Sequence, residues 1–258
     1  MGDVIAVSTN KGGVLKTSLT TNIAGVLAQR GEKILIIDSD NQGNAALSFG
    51  LNPDSYENSL YDVLVEDGNI EDIIIEAHPG IDIAISNDDM VHFELDVLTN
   101  VDQFPNLFHL LKLKIDNIKH EYDYILIDTP PNLGLTTGNV LSAANKILIP
   151  FQPENYSMRS LVKILTTVSD FKNKHNTNLE ILGIVATLID SRTTLHSEVL
   201  QLCRKYALEN DLKVFDTVIP RTVRFANSVA YMGLPATLTD KRNNLVESYF
   251  ELVKEMNI

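Results

Sequence analysis

Four consecutive apolar residues, Val4 to Val7, run into Ser-Thr-Asn-Lys-Gly-Gly-Val-Leu-Lys-Thr-Ser18 and then into a helical pattern. An unbroken apolar run of this kind marks a strand buried on both faces. Gly12 and Gly13 allow a tight loop that brings backbone N–H groups close to a ligand. Lys16, Thr17 and Ser18 open a helix whose apolar positions, Leu19, Ile23, Val26 and Leu27, recur at helical spacing and whose end is marked by Gly31. A helix N-terminus with free N–H groups, a lysine and hydroxyls is a phosphate site. Thr17 stands where a P-loop hydroxyl meets Mg²⁺. The usual P-loop has Gly where this chain has Asn10 and Leu15. What remains is Lys-Gly-Gly-x-x-Lys-Thr, with an additional lysine at Lys11. Lys16 serves the β- and γ-phosphates of a nucleotide. Lys11 cannot easily occupy the same place, so it needs another target.

The formal charge of −13 argues against a strongly basic nucleic-acid module, so any DNA contact has to come from a local patch. The single cysteine, Cys203, excludes a disulfide framework and a cysteine-built metal cluster within one chain. Leu200, Leu202 and Ala207 around it suggest an ordinary helix position. No signal peptide and no apolar run long enough to span a bilayer is found, so a cytoplasmic protein is expected.

A second apolar strand, residues 33–38, ends in Asp38-Ser-Asp40-Asn-Gln-Gly-Asn44. Carboxylates at the carboxyl end of a parallel strand sit at the ligand edge of the sheet. Beside a P-loop, Asp38 and Asp40 are candidates for Mg²⁺ water shells and for orienting an attacking water; alone they read equally well as a polar loop with a helix cap. Residues 51–80 read as loop and short helices, 81–85 as a strand, 87–100 as lacking clear periodicity and 107–121 as an amphipathic helix. Tyr-Asp-Tyr-Ile-Leu-Ile-Asp128 is an apolar strand closed by an aspartate, the Walker-B arrangement in which Asp holds Mg²⁺ directly or through water. Further strands are expected at 145–150, 179–188 and 213–219, with helices at 158–171, 194–209 and 243–256. The alternation predicts an α/β, single-domain P-loop NTPase over residues 1–258: a mostly parallel twisted sheet with helices on both faces.

Taken together, Lys-Gly-Gly-x-x-Lys-Thr, the Asp-x-Asp-x-Gln-Gly-Asn loop, Tyr-Asp-Tyr-Ile-Leu-Ile-Asp-x-Pro-Pro, Asp190-Ser-Arg-Thr and Val218-Ile-Pro-Arg-x-Val-Arg224 resemble the ParA/Soj partition ATPases. The resemblance runs almost the full length. It implies ATP and Mg²⁺ as cofactors and a homodimer that sandwiches two ATP molecules. That dimer binds DNA without sequence preference, and a ParB-like centromere-binding protein stimulates hydrolysis. It places the protein in the cytoplasm on nucleoid DNA. By position, Lys11 reaches across the interface to the partner's ATP. Lys16 serves the chain's own ATP, with Gly12, Gly13, Val14 and Leu15 around the phosphates and Ser18 near the α-phosphate. Thr17, Asp38 and Asp128 support the metal, and Asp40 positions water. Pro220 and Thr222 lie in the segment that contacts adenine, and Arg192 and Arg221 match positions implicated in DNA binding.

The chain departs from the pattern at four places. Leu15 replaces a usual Gly, so its side chain must point away and its φ must be allowed. Asn41 replaces Pro, Thr222 replaces Asn, and residues 225–233 depart from a Ser-Glu-Ala-Pro stretch. Arg192, Arg204, Lys205, Arg221, Arg224, Lys241 and Arg242 cluster in the last third, as a DNA-binding patch or as scattered surface charges and ion pairs. Three other functions share parts of this pattern. A MinD-type membrane cycle needs a basic C-terminal amphipathic helix, whereas this tail carries Glu247, Glu251 and Glu255 with only Lys254 between. Electron transfer like that of nitrogenase iron protein needs two cysteines per subunit. A nucleotide-gated scaffold that hydrolyses little ATP stays open because of Leu15 and Asn41.

Overall fold

The computed structural model describes residues 2–190, 192–240 and 243–258. Eight strands form one sheet: β1 (Asp3–Val7), β2 (Ile34–Asp38), β3 (Ile74–His78), β4 (Ile81–Ala84), β5 (Tyr124–Asp128), β6 (Lys146–Phe151), β7 (Glu180–Ile189) and β8 (Val214–Pro220). Their order is β3-β4-β2-β5-β1-β6-β7-β8. All neighbours are parallel except the β3–β4 pair. Among the described residues the α-helices are α1 (Lys16–Gln29), α2 (Asn44–Leu47), α3 (Leu60–Val65), α4 (Phe93–Thr99), α5 (Leu110–Ile118), α6 (Leu135–Ala143), α7 (Ser157–Lys174), α8 (Thr194–Glu209), α9 (Arg224–Met232), α10 (Ala236–Thr239) and α11 (Asn244–Met256).

The central strands are apolar on both faces because both are covered. Along β1, Val4 and Ala6 join a core shared with α3 to α8, while Ile5 and Val7 join a second core with α1, α9, α10 and α11. The chain leaves β1 toward one edge, returns through β5, and leaves again through β6 toward the other edge. The carboxyl ends of β1, β2 and β5 therefore line a crevice at a point where the strand order reverses. The expected parallel sheet covered on both faces is what forms.

Several elements depart from the sequence expectation, among them β3, α4 and α6. β3 lies in the stretch read as loop and short helices. It pairs antiparallel with β4 across Pro79-Gly80, and Gly80 takes φ +84°, the left-handed conformation such a turn requires. Residues 87–100, without periodicity in the sequence, contain α4. α6 escaped notice because its polar residues are buried: Thr137, Gly138 and Asn139 all face protein. Asn139 donates to the Leu107 carbonyl (2.7 Å) and accepts from the Leu111 N–H (3.2 Å), so it joins α6 to α5 by hydrogen bonds instead of apolar contact. Such a helix shows no apolar stripe.

Candidate functional site

The loop between β1 and α1 brings the expected phosphate-binding residues to the carboxyl edge of the sheet. Leu15 precedes the first turn of α1 with φ +69° and ψ +29°. It takes the left-handed conformation that the usual glycine would supply, at a cost of about 1–2 kcal/mol for an L-residue. Its side chain packs partly against the core behind α1. Lys16 is buried, and its Nζ donates to the Lys11 carbonyl at 3.3 Å. Burial lowers its pKa, while the carboxylates of Asp128 and Asp40 pull the other way.

Thr17 Oγ1 donates to Asp128 Oδ2 at 2.5 Å, so the P-loop hydroxyl and the aspartate closing β5 meet. The other carboxylate oxygen, Asp128 Oδ1, is buried without a hydrogen-bond partner among the described residues. Burial lifts the Asp128 pKa to about 7; Thr17 and Lys16 oppose that rise and Asp40 adds to it. Asp38 sits directly across from Asp128 in the β2–β5 register. Burial, and then the Asp128 charge, push its pKa well up. Two buried carboxylates this close, with Asp40 beside them, form a site that favours a cation.

Asp38 has a second task. Its Oδ1 accepts from the Asp40 N–H (3.0 Å) and its Oδ2 from the Ala45 N–H (2.8 Å). Asp40 Oδ1 in turn accepts from the Gln42 N–H at 3.2 Å. The loop that lost the usual Pro at Asn41 is thus fastened by carboxylate-to-backbone bonds. Both oxygens of Asp38 are thus taken by backbone N–H groups, whereas Asp128 keeps one buried oxygen free among the described residues.

A cavity of about 590 Å³ opens against this loop. It is lined by residues 12–18, Asp40, Asn44, Leu47, Pro131 and Thr222, and by Phe225, Ala226, Val229 and Ala230 of α9. Its size suits a nucleotide. Of the two residues expected at the base, Thr222 lines this cavity; Pro220, the last residue of β8, is not among the lining residues. Ser18 lines the cavity, and its hydroxyl also lies 3.0 Å from Tyr249 Oη of α11, while Tyr249 packs edge-on against Phe225 with ring centres 5.1 Å apart. The wall formed by α9 went unread in the sequence. The available signal was Gly233, which caps α9 with φ +61° after apolar residues at helical spacing.

Lys11 lies outside this cavity. Its Nζ donates to Glu154 Oε2 at 2.8 Å, and Gln152 Nε2 donates to the other oxygen of the same carboxylate. The Lys11 ammonium holds the Glu154 carboxyl below its ordinary range, with His196 and Arg221 contributing. Glu154 was not expected. It follows β6 as Asp38 ends β2, and an acid at that position is the signal that would have found it.

The basic cluster of the last third is largely answered by acids. Arg192 donates Nε and Nη2 to Asp190, at 2.9 and 2.7 Å. Arg224 pairs with Asp240 (2.9 Å), Arg204 with Asp216 (3.7 Å) and Lys205 with Glu209 (4.0 Å). Arg221 is exposed and has no ion pair among the described residues. Lys241, Arg242 and Ser191 of the Asp190-Ser-Arg-Thr motif lie outside the described residues. The apolar face of α11, with Val246, Tyr249, Leu252 and Val253, is packed in the core, and Glu255 accepts the N–H groups of Asp216 and Thr217. Among the described residues no helix is long and apolar enough to cross a membrane.

Comparison with known proteins agrees with this geometry. A family model described as an AAA domain matches residues 2–181. The chain is 36% identical to the sporulation initiation inhibitor protein Soj of Bacillus subtilis, over 99% of this chain and 98% of that one. It is 34% identical to the chromosome partitioning protein ParA of Myxococcus xanthus, over 99% and 88%. Among solved structures it is similar to cobyrinic acid a,c-diamide synthase from Mycobacterium smegmatis with bound ATP analog and magnesium, with TM-score 0.83, 29% identity and 98% and 93% coverage. Strand, phosphate loop, paired aspartates and full-length likeness converge: the chain belongs to the ParA/Soj family of P-loop ATPases.

Proposed function

We propose that residues 1–258 act as one ATPase domain that partitions DNA, with ATP as substrate and Mg²⁺ as cofactor. The observation that carries this reading is the Thr17–Asp128 contact beside buried Lys16, with one Asp128 oxygen still unpartnered. Thr17 and Asp128 would hold Mg²⁺, with Asp38 supporting them through the loop that it fastens. The metal supplies charge neutralisation on the phosphates. Gly12, Gly13, Val14 and Leu15 offer backbone N–H groups to the triphosphate, and Lys16 answers its charge. Thr222 and α9 wall the base, with Pro220 next to them in the chain. Asp40 orients the attacking water, and its hydrogen bond to the Gln42 N–H aims it. Lys11 serves the nucleotide of a second copy, joining hydrolysis to a sandwich dimer.

The dimer binds DNA through phosphates, without sequence preference. Arg221 is the stronger candidate for contact than Arg192, whose guanidinium already faces Asp190. Turnover is slow until a ParB-like centromere-binding protein stimulates it, and the protein works in the cytoplasm on nucleoid DNA, not on membrane. Two relatives at 36% and 34% identity, one of them named for chromosome partitioning, support this assignment over the scaffold reading.

The test is ATP turnover together with ATP-dependent retention on duplex DNA. Asp40→Ala is expected to lose at least about 100-fold in turnover, as removal of a positioned base does, and to keep DNA retention. Arg221→Ala is expected to reduce the slope of log affinity against log salt by about 1, the signature of one lost phosphate contact. Unchanged turnover in Asp40→Ala, or retention insensitive to salt, contradicts the proposal.

A further inference from the structure

Between Lys33 and Lys112 the chain carries sixteen of its thirty-four carboxylates and none of its twenty-one Lys and Arg. This stretch builds the β3–β4 edge of the sheet together with α2, α3 and α4. Among the described residues a single ion pair reaches it, Asp67 with Lys114.

Within it, α4 is apolar on two sides. Phe93 and Val97 are fully buried in the core. Leu95 and Leu98 are 62% and 52% exposed; Val91 and Val101, in the single helical turns that flank α4, are 61% and 48% exposed. Val91, Leu95 and Leu98 fall at helical spacing and form one row, and Val101 follows it after Asn100 leaves helical geometry with φ −118° and ψ +35°. Isolated exposed leucines need no explanation, but four exposed apolar residues within eleven positions, on and beside a helix already apolar on its inner side, do. Asp88, Asp89 and Asp102 border the row. All three are exposed, and none has a cationic partner among the described residues.

We propose that this row docks a basic amphipathic segment of a protein partner. The partner's apolar side chains lie on Val91, Leu95, Leu98 and Val101, and its Lys and Arg face the three aspartates. Charge selects the occupant. A second copy docked face to face sets the same acidic border against itself, which is repulsive. An anionic bilayer is repelled by the same carboxylates. None of the four apolar residues lines the nucleotide cavity, so the surface stands independently of the ATPase reading.

The test uses the full chain without nucleotide. The probe is a labelled 18-residue synthetic peptide with Leu at helical i, i+3, i+4, i+7 spacing and Lys elsewhere, followed by fluorescence anisotropy. The wild type is expected to bind. Leu95→Ser with Leu98→Ser should weaken binding at least about tenfold, as loss of two buried apolar contacts does. Asp88→Asn with Asp89→Asn and Asp102→Asn should weaken it and flatten its salt dependence. Leu202→Ser, an exposed apolar residue on α8, should leave it unchanged. A photo-crosslinking version of the peptide on the wild type locates the site without any substitution, and attachment within residues 88–103 is expected. The proposal is overturned if the wild type does not bind, if the leucine variant binds equally, or if crosslinks fall elsewhere. It is also overturned if sedimentation shows a nucleotide-free dimer that the leucine variant abolishes, which would assign the row to a second copy.

Discussion

Lys11 shows what one side chain can reveal about the cycle. In the single chain its ammonium is held by Glu154 at 2.8 Å, so reaching a second subunit requires leaving that carboxylate. Both side chains are partly exposed, at 28% and 41%, and pairs of this kind contribute about 0–1 kcal/mol. The hold is therefore weak enough for a triphosphate to displace. Glu154→Gln is expected to change the free energy of unfolding of the nucleotide-free chain by less than about 1 kcal/mol, measured by urea titration. A larger loss would make Glu154 a structural residue and not a passing partner. Cys203 gives the opposite case, a group whose proton is locked in. It is fully buried in α8, and burial pushes its thiol up to about 12, with the Arg204 charge opposing. The unfolded chain sheds this proton near the ordinary value of 9.0 and the native chain keeps it. Stability from this site is complete below that value and falls as pH rises from there toward 12. At neutral pH the native thiol should resist a disulfide reagent and react only at the rate of unfolding. Immediate stoichiometric labelling of native protein would contradict its burial.

At the scale of elements, the Asp38–Asn44 turn is where local geometry carries the chemistry. Gly43 has φ +60°, and a Cβ there would lie 2.6 Å from Pro53 Cγ and 2.8 Å from the Ser86 carbonyl. Gly43→Ala is expected to cost about 1–3 kcal/mol in urea unfolding, from backbone strain and contact with a fixed carbonyl. A cost near zero would mean that the turn can relax, and with it the placement of Asp40. The strands of this sheet were legible because central parallel strands must be apolar throughout, as β1, β2 and β5 are. The phosphate loop and both aspartates were legible because lysine, hydroxyl and carboxylate follow strand ends in a fixed order. Other parts were hidden for physical reasons. α6 buries Thr137 and Asn139 and meets Phe108 at Gly138, so its inner face carries no apolar signature. α9 faces a cavity on one side, which leaves Ala226 and Ala230 where core residues would otherwise advertise a helix. The Ser18–Tyr249 contact joins residues 231 positions apart, a distance over which sequence pattern says nothing.

For the whole molecule, charge is divided between its two edges. The stretch that builds the β3–β4 edge has no Lys or Arg of its own and is met by Lys114 at Asp67, whereas the β7–β8 side holds Arg192, Arg204, Arg221 and Arg224, most of them already paired. One copy with this balance would be a poor ligand for DNA, and the proposed dimer would present two patches to the same duplex. On the proposed reading, dimerisation is the step on which DNA binding and hydrolysis both depend, and Lys11 is the residue proposed to make it respond to nucleotide. The most direct measurement is the sedimentation size of Asp40→Ala and of Asp40→Ala with Lys11→Ala, each saturated with ATP and Mg²⁺. The account predicts a stable dimer for the first and an ATP-bound monomer for the second. A dimer of equal stability in both would contradict it.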